Sequence, residues 1–191
     1  LVLESKFELG KGATMKRVLC ILENGFEEIE AVTPVNLLRR AGVEVLMAGV
    51  SGMDVVGKCG MRFRADALLE DVAEEEFDAL FLPGGPAVKE LRGNEKVIAL
   101  IRRFHSEGKL VAAICAAPLL LKDAGLIDGR RITAHFTTKD ELPENTGERL
   151  VNDGEFLTSR GAGTALEFGL AFVGVLAGKA VSEEVSAAVM A

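Results

Sequence analysis

Cys115 lies in the stretch KLVAAICAAPLLLKDAG, residues 109–125, between a short apolar run and a helix-like segment with Pro118 in its first turn. A residue at a strand-to-helix junction is projected over the end of a sheet. The helix start directs unpaired N–H groups and a partial positive charge toward it. Both favour thiolate over thiol, and the thiolate is the nucleophile. The same placement carries the serine of α/β-hydrolases in the motif GxSxG. Here the flanking residues are Ala113 and Ala117, small enough for a tight turn. The competing reading of Cys115 is a small buried hydrophobe, a common fate of free cysteines. Cys20, inside an apolar run, reads as core, and Cys59, beside Gly60, as exposed.

A thiolate needs partners. Gly84 and Gly85 in LPGGP end another apolar run, and glycines leave backbone N–H groups open to a ligand. With the N–H of Ala116 they form a candidate oxyanion site; taken alone, the pair also fits an ordinary tight turn. Glu27, Glu28 and Glu30 open a helix, where the dipole favours acids. Glu27 and Glu28 read as solvated. Glu30, one residue beyond Ile29 and two before Val32, is placed to turn inward. A carboxyl group buried beside a thiolate has a raised pKa and can carry a proton at neutral pH. Of the two histidines, His105 reads as a surface residue closing an amphipathic helix. His135, in RITAHFTTKD, is the stronger partner for a thiolate, although a histidine in such a loop serves structure equally often. SRGAGTALEFG is not GxGxxG, because position 166 is leucine, and no GK[ST] follows. Close backbone packing at a helix start explains it better than a nucleotide site.

The elements that must position these residues alternate from Lys16 onward. RVLCILENG, VEVLMAGV, FDALFLPGG and KLVAAI read as buried strands. EEIEAVTPVNLLRRAG reads as a helix with Ile29, Val32, Val35 and Leu38 on its apolar face. Thr33-Pro34 gives a fresh cap, so a short turn is expected before the main helix. DVVGKCGMRFRAD reads as an extended excursion or hairpin, and EKVIALIRRFHSEG as a helix ended by Gly108. RITAHF, RLVNDG and EFLTSRG read as short strands. GTALEFGLAFVGVLAG closes the chain's fold as a long apolar helix. Apolar strands separated by helices predict a mostly parallel sheet covered on both faces, a flavodoxin-like three-layer α/β sandwich. Ligands of such sheets bind beyond the carboxyl ends of the strands. Those ends here are ENGFEEIE, LPGGP and ICAAP.

The whole chain sets outer bounds. Its 191 residues suit one well-buried domain. Met15-Lys16-Arg17 reads as a natural start, with residues 1–14 an upstream extension or expression remnant and residues 15–191 the domain. The net charge of −7 argues against nucleic acid and against an anionic membrane surface. No run approaches the roughly 20 apolar residues of a transmembrane helix, and the opening residues lack the pattern of a signal peptide. Three cysteines without CxxC or zinc-type spacing suit reduced thiols in a cytoplasmic protein and no sequence-encoded metal site.

ENGFEEIEAVTPVNLLRRAG, LFLPGGP, AAICAAPLLL, ITAHFTTKD and LTSRGAGTALEFG, in this order and spacing, resemble the ThiJ/PfpI superfamily in its YajL-like branch. The likeness runs from about Arg17 to the end of the chain. It implies a flavodoxin-like fold, a homodimer, and a reactive cysteine on a nucleophile elbow, which falls on Cys115. The neighbouring protonated glutamate falls on Glu30, the pocket histidine on His135, and the oxyanion amides on Gly84, Gly85 and Ala116. The activities it implies are a cofactor-free glyoxalase or deglycase acting on 2-oxoaldehydes such as methylglyoxal, or a non-enzymatic oxidative-stress sensor or redox-regulated chaperone using the same cysteine. Peptidase and thiazole monophosphate biosynthesis are weaker readings. Peptidase members carry histidine directly after the cysteine, where this chain has Ala116. Amidotransferases carry a His-x-Glu pair, where this chain has His135 and Thr137. The Ser-Arg-Gly of the excursion is replaced by Lys58-Cys59-Gly60, which departs from the basic group that the resemblance implies the partner subunit lends to the pocket.

Overall fold

The computed structural model describes residues 15–191; the reading of residues 1–14 as an extension lies outside the described residues. The first strand, β1 (Arg17–Leu22), is buried at every position after Arg17. Its alternating side chains feed two cores. Val18, Cys20 and Leu22 face one side, and Leu19 and Ile21 the other. Nothing along β1 is left for solvent, so helices must cover both faces.

Chain order continues with α1 (Glu28–Arg40), β2 (Glu44–Gly49), the hairpin β3 (Asp54–Val56) and β4 (Arg62–Arg64), then β5 (Ala67–Leu68), α2 (Leu69–Val72) and β6 (Ala79–Leu82). Next come α3 (Ala87–Arg92), α4 (Glu95–Ser106), β7 (Leu110–Ile114), α5 (Pro118–Asp123), β8 (Leu150–Asp153), β9 (Phe156–Ser159), α6 (Ala165–Ala177) and α7 (Lys179–Ala188). The main sheet has the order β5-β2-β1-β6-β7-β9-β8. Every neighbouring pair in it is parallel except β8 with β9. Helices α2 to α5 pack on one face, and α1, α6 and α7 on the other. This is the flavodoxin-like sandwich the sequence predicts. From β1 the chain winds outward to β2 and later returns to β6 on the opposite side. The carboxyl ends of β1, β6 and β7 therefore lie side by side at the switch point, where such sheets open a crevice. Among the described residues no helix is long and apolar enough to cross a membrane.

Four local expectations are corrected. Helix α1 does not restart at Thr33-Pro34; Glu27 caps it, and Pro34 lies inside it. The proline has no N–H for the carbonyl of Glu30, and packing compensates. A Cβ on Gly169 of α6 would stand 3.0 Å from Pro34 Cα and 2.6 Å from Leu37 Cδ1, so the two helices meet almost backbone to backbone. On the same helix, Ile29 and Val32 are exposed at 54% and 40%, whereas Ala31, Val35 and Leu38 are buried. RITAHF is not a strand. Only an isolated bridge joins Ile132 to Asn145, and His135 precedes a 3-10 turn over Phe136–Thr138. Finally, α7 follows the long apolar helix and covers its outer side through Val185.

Candidate active site

Cys115 follows β7 directly and adopts φ +67°, one of two non-glycine residues in the left-handed region among those described. That conformation costs an ordinary residue about 1–2 kcal/mol. Backbone bonds on both sides impose it. The Cys115 N–H donates to Ser159 O at 2.8 Å, and its carbonyl accepts from the His135 N–H at 2.8 Å. The chain therefore turns sharply at the strand end and leaves the half-buried thiol above the sheet.

The Gly84-Gly85 pair has a steric reason stronger than an ordinary turn. A Cβ on Gly84 would lie 2.5 Å from both Cys115 Cβ and Glu30 Oε2. Gly85, at φ +93°, would bring a Cβ within 2.5 Å of the Gly25 carbonyl oxygen and 2.7 Å of the Glu27 nitrogen. The amides divide their work in a way the sequence does not predict. Gly84 N–H donates to Glu30 Oε2 at 3.1 Å, so it holds the carboxyl group and is spent as an oxyanion donor. The Gly85 and Ala116 amides are the two that donate toward the Cys115 sulfur.

Glu30 is only 1% exposed. Its burial, assisted by the nearby Glu27 charge, pushes its pKa up to about 7, against the opposing pull of Cys115, the Gly84 amide and Lys58. The inward turn predicted for Glu30 is present, although the neighbours used to argue it, Ile29 and Val32, face solvent. What turns Glu30 inward is its place on the stripe that also buries Ala31, Pro34 and Leu38. Glu27 and Glu28 are not solvated as expected. Glu27 Oε2 accepts the Glu30 N–H at 3.0 Å, and Glu28 Oε1 accepts the N–H groups of Cys59 at 2.8 Å and Met61 at 3.3 Å.

The thiol differs from expectation. Burial first, then the charge and hydrogen bond of Glu30, push Cys115 up to about 12, while the Gly85 and Ala116 amides pull it down. The helix whose start was expected to lower it, α5, has six residues and begins only at Pro118. The two contributions from Glu30 operate only while it is a carboxylate. Cys115 and Glu30 thus form one titrating pair in which the first proton lost is shared.

His135 is tied to Cys115 through the main chain rather than through its ring. Its Nδ1 lies 2.8 Å from Thr137 Oγ1, and the ring packs against Phe136 at 4.3 Å between centroids. A hydroxyl thus occupies the place where a glutamate would orient a catalytic histidine. The ring borders a cavity of about 710 Å³ whose wall includes Phe136, Lys139, Arg149, Arg160 and Gly161. A Cβ on Gly161 would stand 3.4 Å from His135 Cδ2 and 3.8 Å from Glu30 Oε1, so this cavity adjoins the pair. Sequence reasoning named Lys58 and Thr137 but gave neither a part in the pocket. The Lys58 charge acts on Glu30 because the hairpin folds back, with the Lys58 N–H on the Phe26 carbonyl at 2.8 Å. Cys20 is fully buried and its thiol pKa raised by that burial.

The family model described as DJ-1/PfpI matches residues 16–174. The chain belongs to the DJ-1/PfpI family. It is 39% identical to protein dj-1beta of Drosophila melanogaster over 178 residues, covering 90% of this chain and 95% of that one. It is 38% identical to a deglycase of Pyrococcus abyssi, covering 84% of this chain and 99% of that one. The crystal structure of Drosophila DJ-1beta superposes with a TM-score of 0.89 at 37% identity, over 93% of this chain and 98% of that one. Oxidized DJ-1 of Toxoplasma gondii gives a TM-score of 0.87 at 32% identity, over 92% and 98%. The superfamily resemblance read from the motifs is therefore correct, and the fold it implies is the fold observed.

Proposed function

We propose that the chain is a cysteine-dependent enzyme acting on 2-oxoaldehydes, of the glyoxalase or deglycase type, with Cys115 as nucleophile and Glu30 as proton carrier. The observation that carries this reading is the buried Glu30–Cys115 pair, with the amides of Gly85 and Ala116 directed at the sulfur. The deglycase of Pyrococcus abyssi supports the substrate class. Once the pair has lost one proton, the sulfur adds to the aldehyde carbon of methylglyoxal, and the carbonyl π electrons move to oxygen. That oxygen is held by the Gly85 and Ala116 amides and takes the proton retained by the pair. The Glu30 carboxylate then removes the hydrogen from the old aldehyde carbon to give an enediol and returns it to the neighbouring carbon, while the hydroxyl proton passes from the first oxygen to the second, which leaves the first carbon as a carbonyl. The product is a thioester of the 2-hydroxy acid. Water cleaves it, releasing lactate and restoring the thiol, so one methylglyoxal and one water give one lactic acid. A glycated amine or thiol enters the same course once its hemiaminal or hemithioacetal opens: the C–N or C–S bond breaks, the carbinol oxygen becomes the aldehyde carbonyl, its proton goes to the departing amine or thiol, and the sulfur adds to the freed aldehyde. His135, with Nδ1 occupied by Thr137, borders the space for the rest of the substrate. Cys115→Ala is expected to reduce lactate formation from methylglyoxal to background with an unchanged circular dichroism spectrum. Wild-type turnover in that variant would remove the nucleophile assignment.

A second reading, a redox sensor, draws on the same sulfur and on the oxidized Toxoplasma relative. Peroxide would convert the Cys115 thiolate to sulfenate, with loss of water or hydroxide, and a second equivalent to sulfinate. The Gly85 and Ala116 amides and protonated Glu30 would donate hydrogen bonds to its oxygens. Peptide mapping after mild peroxide is expected to place two added oxygens on Cys115. Oxidation confined to exposed Cys59 would contradict it.

A further inference from the structure

Beside the Cys115 site, a second set of ligand-type side chains meets that no spacing in the sequence announces. One carboxylate oxygen from each of Glu27 and Glu28 and the Cys59 sulfur all lie within 4.8 Å of one another. The two glutamates are 8% and 4% exposed, while Cys59 is open to solvent. The hairpin turn is shaped around Glu28. Oε1 takes the two amides of Cys59 and Met61, and a Cβ on Gly57 would stand 2.4 Å from Glu28 Cδ. The other oxygen, Oε2, is enclosed and accepts no N–H or O–H among the described residues; only the weak S–H donor of Cys59 bonds to this carboxyl group from a side chain. An enclosed carboxylate oxygen without a donor is costly, and native structures fill such positions. Glu27 spends Oε2 on the cap of α1, and its other oxygen has no hydrogen bond among the described residues.

We propose that Glu27, Glu28 and Cys59 form a binding site for a single borderline-soft divalent cation of the zinc type, with water as its fourth ligand. One sulfur with two carboxylates selects zinc over magnesium or calcium, which take all-oxygen shells. Donor atoms around tetrahedral zinc stand roughly 3.3–3.7 Å apart, so the three side chains must draw together on binding from separations of up to 4.8 Å. Binding releases the thiol proton to solvent as the Zn–S bond forms. The ion fastens the hairpin turn to the start of α1, and Glu27 joins it to the backbone of Glu30.

The test uses the full chain carrying Cys115→Ala, which removes the other thiol at this end of the sheet. Cobalt replaces zinc as a visible probe, and no readout involves turnover, so the result is separate from the fate of the proposed reaction. One equivalent of cobalt is expected to give a thiolate-to-metal charge-transfer band, and zinc to raise the melting temperature. Adding Cys59→Ser is expected to abolish the band and weaken zinc binding more than about tenfold, with the fold intact because Cys59 is exposed. Adding Glu28→Gln instead is expected to weaken zinc binding while keeping a cobalt–thiolate band at higher metal. Absence of the band in the Cys115→Ala protein, or its survival after Cys59→Ser, overturns the site.

Discussion

At Cys115 the chain keeps a side chain where the backbone geometry favours glycine, and the neighbours that would clash are glycines instead. Gly84 makes room for Cys115 Cβ and the Glu30 carboxyl together, which is why a thiol and an acid can share one buried spot. Their sharing has a consequence for stability. Glu30 ionises near 4.5 when unfolded and near 7 when folded. Below that window both states hold the proton. Within it only the folded protein does, so folding takes up a proton and stability falls as pH rises. Above about 7 the loss is complete, up to roughly 3 kcal/mol for a shift of this size. Glu30→Gln removes the titration but keeps an acceptor for the Gly84 amide. Urea midpoints of that variant are expected to exceed those of wild type by a margin that grows between pH 4.5 and 7.5. A margin independent of pH would show that Glu30 is not buried as an acid. The strand-end place of Cys115 was legible from its neighbours in the sequence, whereas the inward turn of Glu30 was argued from Ile29 and Val32, which face solvent. The division of the amides was not legible, because it depends on which of two adjacent N–H groups the Glu30 oxygen reaches across 54 residues.

At the scale of elements, strands and their ends were readable because unbroken apolar runs between glycine and proline signals leave few alternatives. Helix α1 was harder. Local rules place a cap at Thr33-Pro34, whereas contact with α6 keeps the helix continuous through the proline. Gly169 permits that contact. Gly169→Ala gains up to about 1 kcal/mol of helix propensity but places a methyl group 3.0 Å from Pro34 Cα and 2.6 Å from Leu37 Cδ1. Overpacking of this kind costs about 1–3 kcal/mol, so a net loss is expected in chemical denaturation. A stabilised variant would mean that the helices separate readily. RITAHF misled for a different reason. Its alternation suits a strand, but backbone bonds of this segment go to the main chain of Cys115 and Thr146 and to the side chains of Asn145, Asp153 and Thr158, rather than to a strand's backbone ladder. His135 is thereby fixed by what its main chain holds, and its ring is steered by Thr137.

Across the whole molecule, the order β2-β1-β6-β7 brings three distant segments to one crevice. The sequence names each segment and cannot say how their side chains share protons. A thiol beside a helix start suggested a low pKa; the folded surroundings couple the thiol to an acid instead. The most direct test of that coupling is the pH dependence of Cys115 alkylation by iodoacetamide, followed by mass mapping in wild type and Glu30→Gln. The account predicts an inflection near pH 7 in wild type, where the pair loses its first proton, and no such inflection in Glu30→Gln. Superimposable profiles for the two proteins would contradict it, because Cys115 would then titrate without reference to Glu30.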